Sequence, residues 1–152
     1  MTKYTRFAAM IATSTIVMFG LMYLNTYGLK HIFFSETRAY MALLMGATMA
    51  VIMLGFMMNM YGNRRVNAGI FMGSVAVFAL SLWLVRSQAT IGDVAWMKAM
   101  IPHHSIAILT SERANISDPR VRDLADRIIE AQRSEIDEMK TLIRELEGEQ
   151  YP

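Results

Sequence analysis

Hydrophobic residues gather into three long runs, at residues 7–24, 39–60 and 68–85, and beyond Arg86 they thin into a spaced pattern. The middle run carries no charge across 22 residues. At about 1.5 Å per residue, a helix of that length spans a hydrocarbon layer of roughly 30 Å. The first run follows Lys3 and Arg6 as a signal peptide would, but Met22-Tyr23-Leu24-Asn25-Thr26-Tyr27 is too bulky for a cleavage site, so it reads as a retained membrane helix. The third run has Trp83 near its boundary, where interfacial aromatics collect. Tyr61-Gly62-Asn63-Arg64-Arg65 is the tight link between the second and third runs.

Three spans put the chain ends on opposite sides of a bilayer. Lys3, Arg6, Arg64 and Arg65 share one side and Lys30, Arg38 and Arg86 the other, so the positive-inside rule sets the N-terminus in the cytoplasm by four to three. The expected arrangement is a three-helix anchor over 1–86 in a bacterial inner membrane, with residues 87–152 outside the cytoplasm.

The segment after Arg86 reads as a linker and a helical hairpin. Asp93 offers an N-cap for a helix over 94–114, inside which Pro102 removes one backbone hydrogen bond and is expected to kink the helix. Asp118 as N-cap and Pro119 at the first helical position start a second helix reaching Leu146, and Gly148 ends it. Val121, Ala125, Ile128, Gln132, Glu135, Met139, Leu142 and Leu146 form a heptad seam along it. Folding the hairpin about residue 117 sets Met100 opposite Glu135, His103 and His104 near Gln132, and Met97 near Met139. A hairpin of about 60 residues buries little core alone, so a homodimer completing a four-helix bundle is expected. The fold class is therefore all-α.

Within the runs, Met41, Met45, Met49, Met53 and Met57 recur every four residues as a slowly winding stripe, which is either packing or a path for copper(I). Gly46-x-x-x-Ala50 and Gly69-x-x-x-Gly73 allow close approach of backbones. No ionisable residue lies inside any run, which argues against a proton-coupled transporter or an ion channel.

Composition narrows the chemistry. A net charge of +2 without a basic tract leaves no nucleic-acid partner, and the absence of Cys removes thiol chemistry and disulfides. Any metal falls to His, carboxylate and the fifteen Met. Met97, Met100 and His104 stand at i, i+3 and i+7, one face of a helix, and His103 adjoins them. Thioether selects copper(I) and imidazole suits either oxidation state, so copper is the expected cofactor, as Cu+ more than Cu2+. The candidate ligands are Met97, Met100, His103, His104 and Met139, with Gln132 and Glu135 behind them and Glu135 accepting from a His N–H. His103 points about 100° from His104 on an ideal helix, so sharing one ion requires the Pro102 kink or a second chain. His104 as a core histidine bonded to Gln132 or Glu135 is the plain alternative, and His31 reads as an ordinary loop residue. No Glu-x-x-His pairs, HExxH, nucleophile elbow or phosphate loop occurs, so no enzymatic activity is expected.

Residues 93–143 carry Met100-Ile101-Pro102-His103-His104, then Asp118-Pro119-x-Val121, then Leu124-Ala125-x-x-Ile128-Ile129-x-x-Gln132-x-x-Glu135-Ile136-x-x-Met139. That third of the chain resembles a bacterial family of ferritin-like helical-bundle proteins, some of which, the CopM type, bind copper outside the cytoplasm. The resemblance implies Met100, His103, His104 and Met139 as ligands, and Met97 at a position that is often Met. Leu109 stands where many relatives carry a further Met. The three spans resemble a membrane-anchored branch of that family. The expected role is copper sequestration, delivery or tolerance, with a partner protein that exchanges the ion. The alternative is a structural or regulatory membrane subunit that uses the hairpin for docking without metal.

Overall fold

The computed structural model describes residues 2–148, which form five α-helices and two short 3₁₀ turns, with no strand among them. They divide into two compact units. One runs up to Met22 and takes in Thr37–Thr90; the other combines Tyr23–Glu36 with the chain from Ile91 onward. The loop between the first two apolar helices thus folds with the hairpin, and the second boundary falls near residue 90.

The first unit contains α1 (Lys3–Leu21), α2 (Glu36–Phe56) and α3 (Arg64–Ser87), each long and apolar enough to cross a membrane. α1 and α3 begin four residues before their apolar runs because polar caps precede them. Thr2 accepts from the Thr5 amide, and Asn63 accepts from the amides of Arg65 and Val66. On α2 the buried face is mostly small: Ala42, Gly46, Ala47, Ala50 and Leu54. Leu54 and Ala50 form a core with Phe7 and Tyr61, against which Met53, Met57 and Ile70 pack. A polar latch closes one end. The Tyr4 hydroxyl donates to Asn67 Oδ1 at 2.8 Å and accepts from the Asn63 amide, while Asn67 Nδ2 donates to the Tyr61 carbonyl. Asn67 is buried, so these bonds meet the cost of taking its amide from water.

The two small-residue motifs behave differently. A Cβ added at Gly46 would run into Thr15 Oγ1 and lie 3.3 Å from both Thr15 carbons, so Gly46 is where α1 and α2 approach most closely. Gly69 and Gly73 have no neighbour within 4 Å of their Cβ positions and line an open apolar groove between the three helices. In the methionine stripe, Met53 and Met57 pack on the core, and the shallow groove beside Met45, Met49 and Met53 is lined by α2 alone. A copper path along it would need walls from another chain.

In the second unit α4 (Asp93–Arg113) and α5 (Pro119–Glu147) form the hairpin. Asp118 caps α5 by accepting from the Arg120 amide at 2.8 Å, Pro119 takes the first turn, and Gly148 closes the helix with φ 74°. Asp93 is the first residue of α4 rather than its cap; Gly92 holds that place with no side-chain bond, and the Asp93 charge acts on the helix dipole instead. Helix α4 runs unbroken through Pro102.

Ala125 and Met139 of the expected heptad are buried, while the rest of the packed seam is turned by about one residue from it. Met97, Ile101 and Ile108 meet Ile136, Met139 and Ile143, with Met100, Ile129, Val94 and Phe33 against them. Val121, Ile128, Leu142 and Leu146 stay 37–59 % exposed. The cause lies in α5 itself, where Ile128-Ile129 and Leu142-Ile143 offer two adjacent apolar stripes, and a single partner helix covers only one.

Replacing Gly46 by Ala is predicted to destabilise the three-helix unit by about 1–3 kcal/mol, since the Thr15 hydroxyl it would run into is held by its bond to the Ile11 carbonyl and the Thr15 Cβ and methyl stand 3.3 Å away behind it. Thermal unfolding in detergent should show the loss, and adding Thr15→Ala should recover most of it.

Candidate functional site

Methionine and histidine come together on α4 because its core-facing residues recur at helical spacing. Met97 is 4 % and Met139 7 % exposed, and both belong to the apolar core, with Met100 packed on it from the edge. His104 is half-buried and His103 exposed, their ring centroids 6.3 Å apart and their planes at 72°. The five sequence-derived ligand candidates therefore occupy two settings. Met97 and Met139 meet inside the hairpin, while His103, His104 and Met100 stand along its edge.

His104 is held at both nitrogens. Nδ1 donates to the Met100 carbonyl at 3.0 Å, one turn back on the same helix, and Nε2 lies 2.8 Å from Glu135 Oε2. Gln132 Nε2 donates to the same oxygen at 3.2 Å. Two acceptors thus face one ring. The main-chain bond fixes the tautomer in the manner of metal-binding histidines, whose second nitrogen is tied to a carbonyl or carboxylate. Glu135 sits on the nitrogen that a metal would take, one turn further along the hairpin than the expected place opposite Met100. Pairs such as His104 with Glu135 and Arg133 with Glu112 set the register there, and long side chains reach across rather than straight over.

Donor chemistry is compatible with a soft ion. Two imidazoles and a thioether lie at the edge with two further thioethers in the adjoining core, and no thiolate competes. Among the described residues no group of three His, Cys, Asp or Glu is placed to hold a metal ion.

The third histidine was not expected here. His31 Nδ1 lies 2.9 Å from Ser105 Oγ, and the same hydroxyl accepts from the Tyr27 amide at 2.7 Å. Ser105 is fully buried on α4, one residue beyond His104. The hydroxyl thus ties the loop to α4, and Phe33 enters the hairpin core beside it. An irregular loop carries no periodicity, so only the apolar and aromatic content of residues 23–36 hinted that it folds against something. Burial lowers the His31 pKa from its ordinary 6.5, the nearby Lys140 charge lowers it further, and Asp137 opposes both.

A histidine with a depressed folded-state pKa takes its proton more readily when unfolded. Its stabilisation is complete above the unfolded value of 6.5 and is lost as pH falls below it toward the folded value. Thermal unfolding of the full protein is therefore predicted to show a stability loss between about pH 7.5 and about pH 5.5 that is diminished in His31→Asn. Ser105→Ala should cost about 1–3 kcal/mol, because it orphans the Tyr27 amide, and hydrogen exchange at that amide should accelerate.

Residues 87–152 match the family model described as a domain of unknown function, DUF305. The chain is 32 % identical over 144 residues to "Uncharacterized protein L153" of Acanthamoeba polyphaga mimivirus, a match covering 90 % of this chain and 93 % of that protein. A match of that length cannot be confined to the hairpin, so it takes in apolar helices as well. No solved structure matches the chain. With a DUF305 domain at its end and similarity along nearly all of both sequences, the chain belongs to one family with mimivirus L153.

Proposed function

We propose that the protein is a membrane-anchored copper-binding protein that displays its hairpin outside the cytoplasm and serves copper sequestration, delivery or tolerance. The observation that carries this reading is the setting of His104. Its ring is oriented through Nδ1 by a main-chain carbonyl, with His103 exposed beside it and Met100 one turn back at the edge of a core that holds Met97 and Met139. Imidazole and thioether together suit copper(I). The resemblance of the Met100-to-Met139 pattern to CopM-type proteins supports the same cargo. Copper is held rather than transformed, and exchange with a partner protein would proceed from the exposed His103.

Membrane anchoring is supported by three helices of 19, 21 and 24 residues with apolar outer faces. It is also supported by topology. An odd number of spans puts the 23–36 loop on the same side as the hairpin, and those two segments share one compact unit. The charge count sets the N-terminus in the cytoplasm of a bacterial cell. Self-association is supported by the second stripe on α5, where Val121, Leu124, Ile128, Leu142 and Leu146 are 37–59 % exposed, as a partner in a four-helix bundle would require.

Metal analysis of the purified full-length protein should find copper. His103→Ala with His104→Ala should weaken copper(I) binding by more than about 100-fold, the upper range for losing a single outer partner. Equal retention by the double variant would leave the docking reading, in which the His104–Glu135 pair is a polar specificity device. Ile128→Glu with Leu142→Glu should convert a dimer to a monomer in light scattering, and a wild-type monomer would end the four-helix proposal.

A further inference from the structure

Positive charge is concentrated at one end of the hairpin unit, where nothing assigned so far uses it. Lys98 from the second turn of α4, Lys140 and Arg144 near the end of α5, and Lys30 from the 23–36 loop line one pocket of about 490 Å³. Phe33 and Ile143 supply its apolar lining, and Glu147 is its one carboxylate. Glu147 pairs with Lys98. Arg144 is turned onto the Lys140 carbonyl and the Thr141 hydroxyl. Among the described residues Lys30 and Lys140 form no ion pair. The Lys140 charge is felt as far as His31, whose proton it disfavours.

The same loop exposes apolar side chains beside its lysine. Leu29 is 86 % exposed, Leu24 77 % and Ile32 44 %. Isolated cations prefer water and isolated leucines prefer a core. The two side by side are stable together where headgroup phosphates meet acyl chains. Chain connectivity points to the same place. Lys30 lies between two helices of membrane-spanning length, and Lys98 stands in a helix that begins five linker residues after the third, a reach of at most about 18 Å.

We infer that this pocket binds the phosphate group of an anionic phospholipid in the leaflet that the hairpin faces, with Lys30 and Lys140 as the phosphate-binding cations and Leu24, Leu29 and Ile32 entering the apolar layer. The inference rests on the membrane anchoring proposed above. Lysine suits this ligand as a mobile point charge, and each cation near an anionic surface contributes about fivefold in affinity. Glu147 tempers the site by holding Lys98.

The test uses full-length protein in neutral detergent, titrated with phosphatidylglycerol, phosphatidylcholine or inorganic phosphate, with bound lipid read by native mass spectrometry. Phosphatidylglycerol should be retained over phosphatidylcholine. Lys30→Gln with Lys140→Gln should weaken that retention by roughly 25-fold, two charges at about fivefold each. Glu147→Gln should strengthen it, an opposite sign that misfolding cannot produce. Equal retention by the double lysine variant overturns the site, and displacement of the lipid by inorganic phosphate at equal concentration overturns its assignment to a phospholipid. Protein that stays in the membrane fraction yet shows no preference for phosphatidylglycerol sinks only this inference. Protein recovered in the aqueous fraction without detergent sinks the anchoring itself.

Discussion

The packing of α4 against α5 determines what every other part of the hairpin unit can do. Six buried side chains, Met97, Ile101, Ile108, Ile136, Met139 and Ile143, fix the rotation of both helices. Once they are inside, His104 must lie at the edge of the seam, His103 must face out, and Ser105 must point to the loop. The same rotation leaves Lys98 within reach of Glu147 and brings Lys140 and Arg144 to the end of the hairpin beside Lys30. At about 0.8 kcal/mol per buried methylene, this apolar seam outweighs the partly exposed polar contacts at its rim. The polar groups take the positions that the seam leaves them.

Much of this was legible in the residues because local chemistry decides it. Asp118, Pro119 and Gly148 mark the ends of α5 through bonds made within a few residues, and they do so as expected. The apolar runs announce α1 to α3, but the caps at Thr2 and Asn63 draw back the starts of α1 and α3, α2 starts at Glu36, and α1 and α2 end at Leu21 and Phe56, short of the runs' ends. Long-range choices were not legible. Two adjacent apolar stripes on α5 leave its rotation to the partner helix, so the expected heptad named Ile128 and Leu142 where Ile129 and Ile143 are the packed residues. Joining of the 23–36 loop to the hairpin depends on Phe33, His31 and the Ser105 hydroxyl, three contacts without a period among them. Asn67 stands one residue before the third apolar run, and its bonds to Tyr4 and Tyr61 close a latch that spacing alone does not reveal.

The candidate site illustrates the same division. The sequence placed Met97, Met100 and His104 on one helical face, and helical geometry alone suffices for that. Which partner each would meet depends on register. Glu135 meets His104 rather than Met100, so the carboxylate faces the nitrogen that would carry a metal, and the orienting bond to the other nitrogen comes from the main chain. His104 is thus held between two acceptors, the Met100 carbonyl and Glu135.

If the hairpin binds copper and pairs as proposed, this contact would link the two events. Glu135 is half-exposed and lies between Ile128 and Leu142 on the uncovered stripe of α5, so a second hairpin placed there would take its carboxylate out of water. An ionised carboxylate removed from water needs a compensating charge, and the attraction between the two strengthens as the surroundings become less polar. In the copper-binding reading proposed above, a cation held at His104 would supply that charge. Covering the stripe therefore raises the demand for a cation at His104, and a bound cation lowers the cost of covering the stripe. By linkage the two events favour one another to the same degree. A hairpin with an uninterrupted apolar stripe would pair regardless of its cargo, whereas Gln132 and Glu135 in the middle of this one would make the proposed pairing sensitive to what the facing histidine holds.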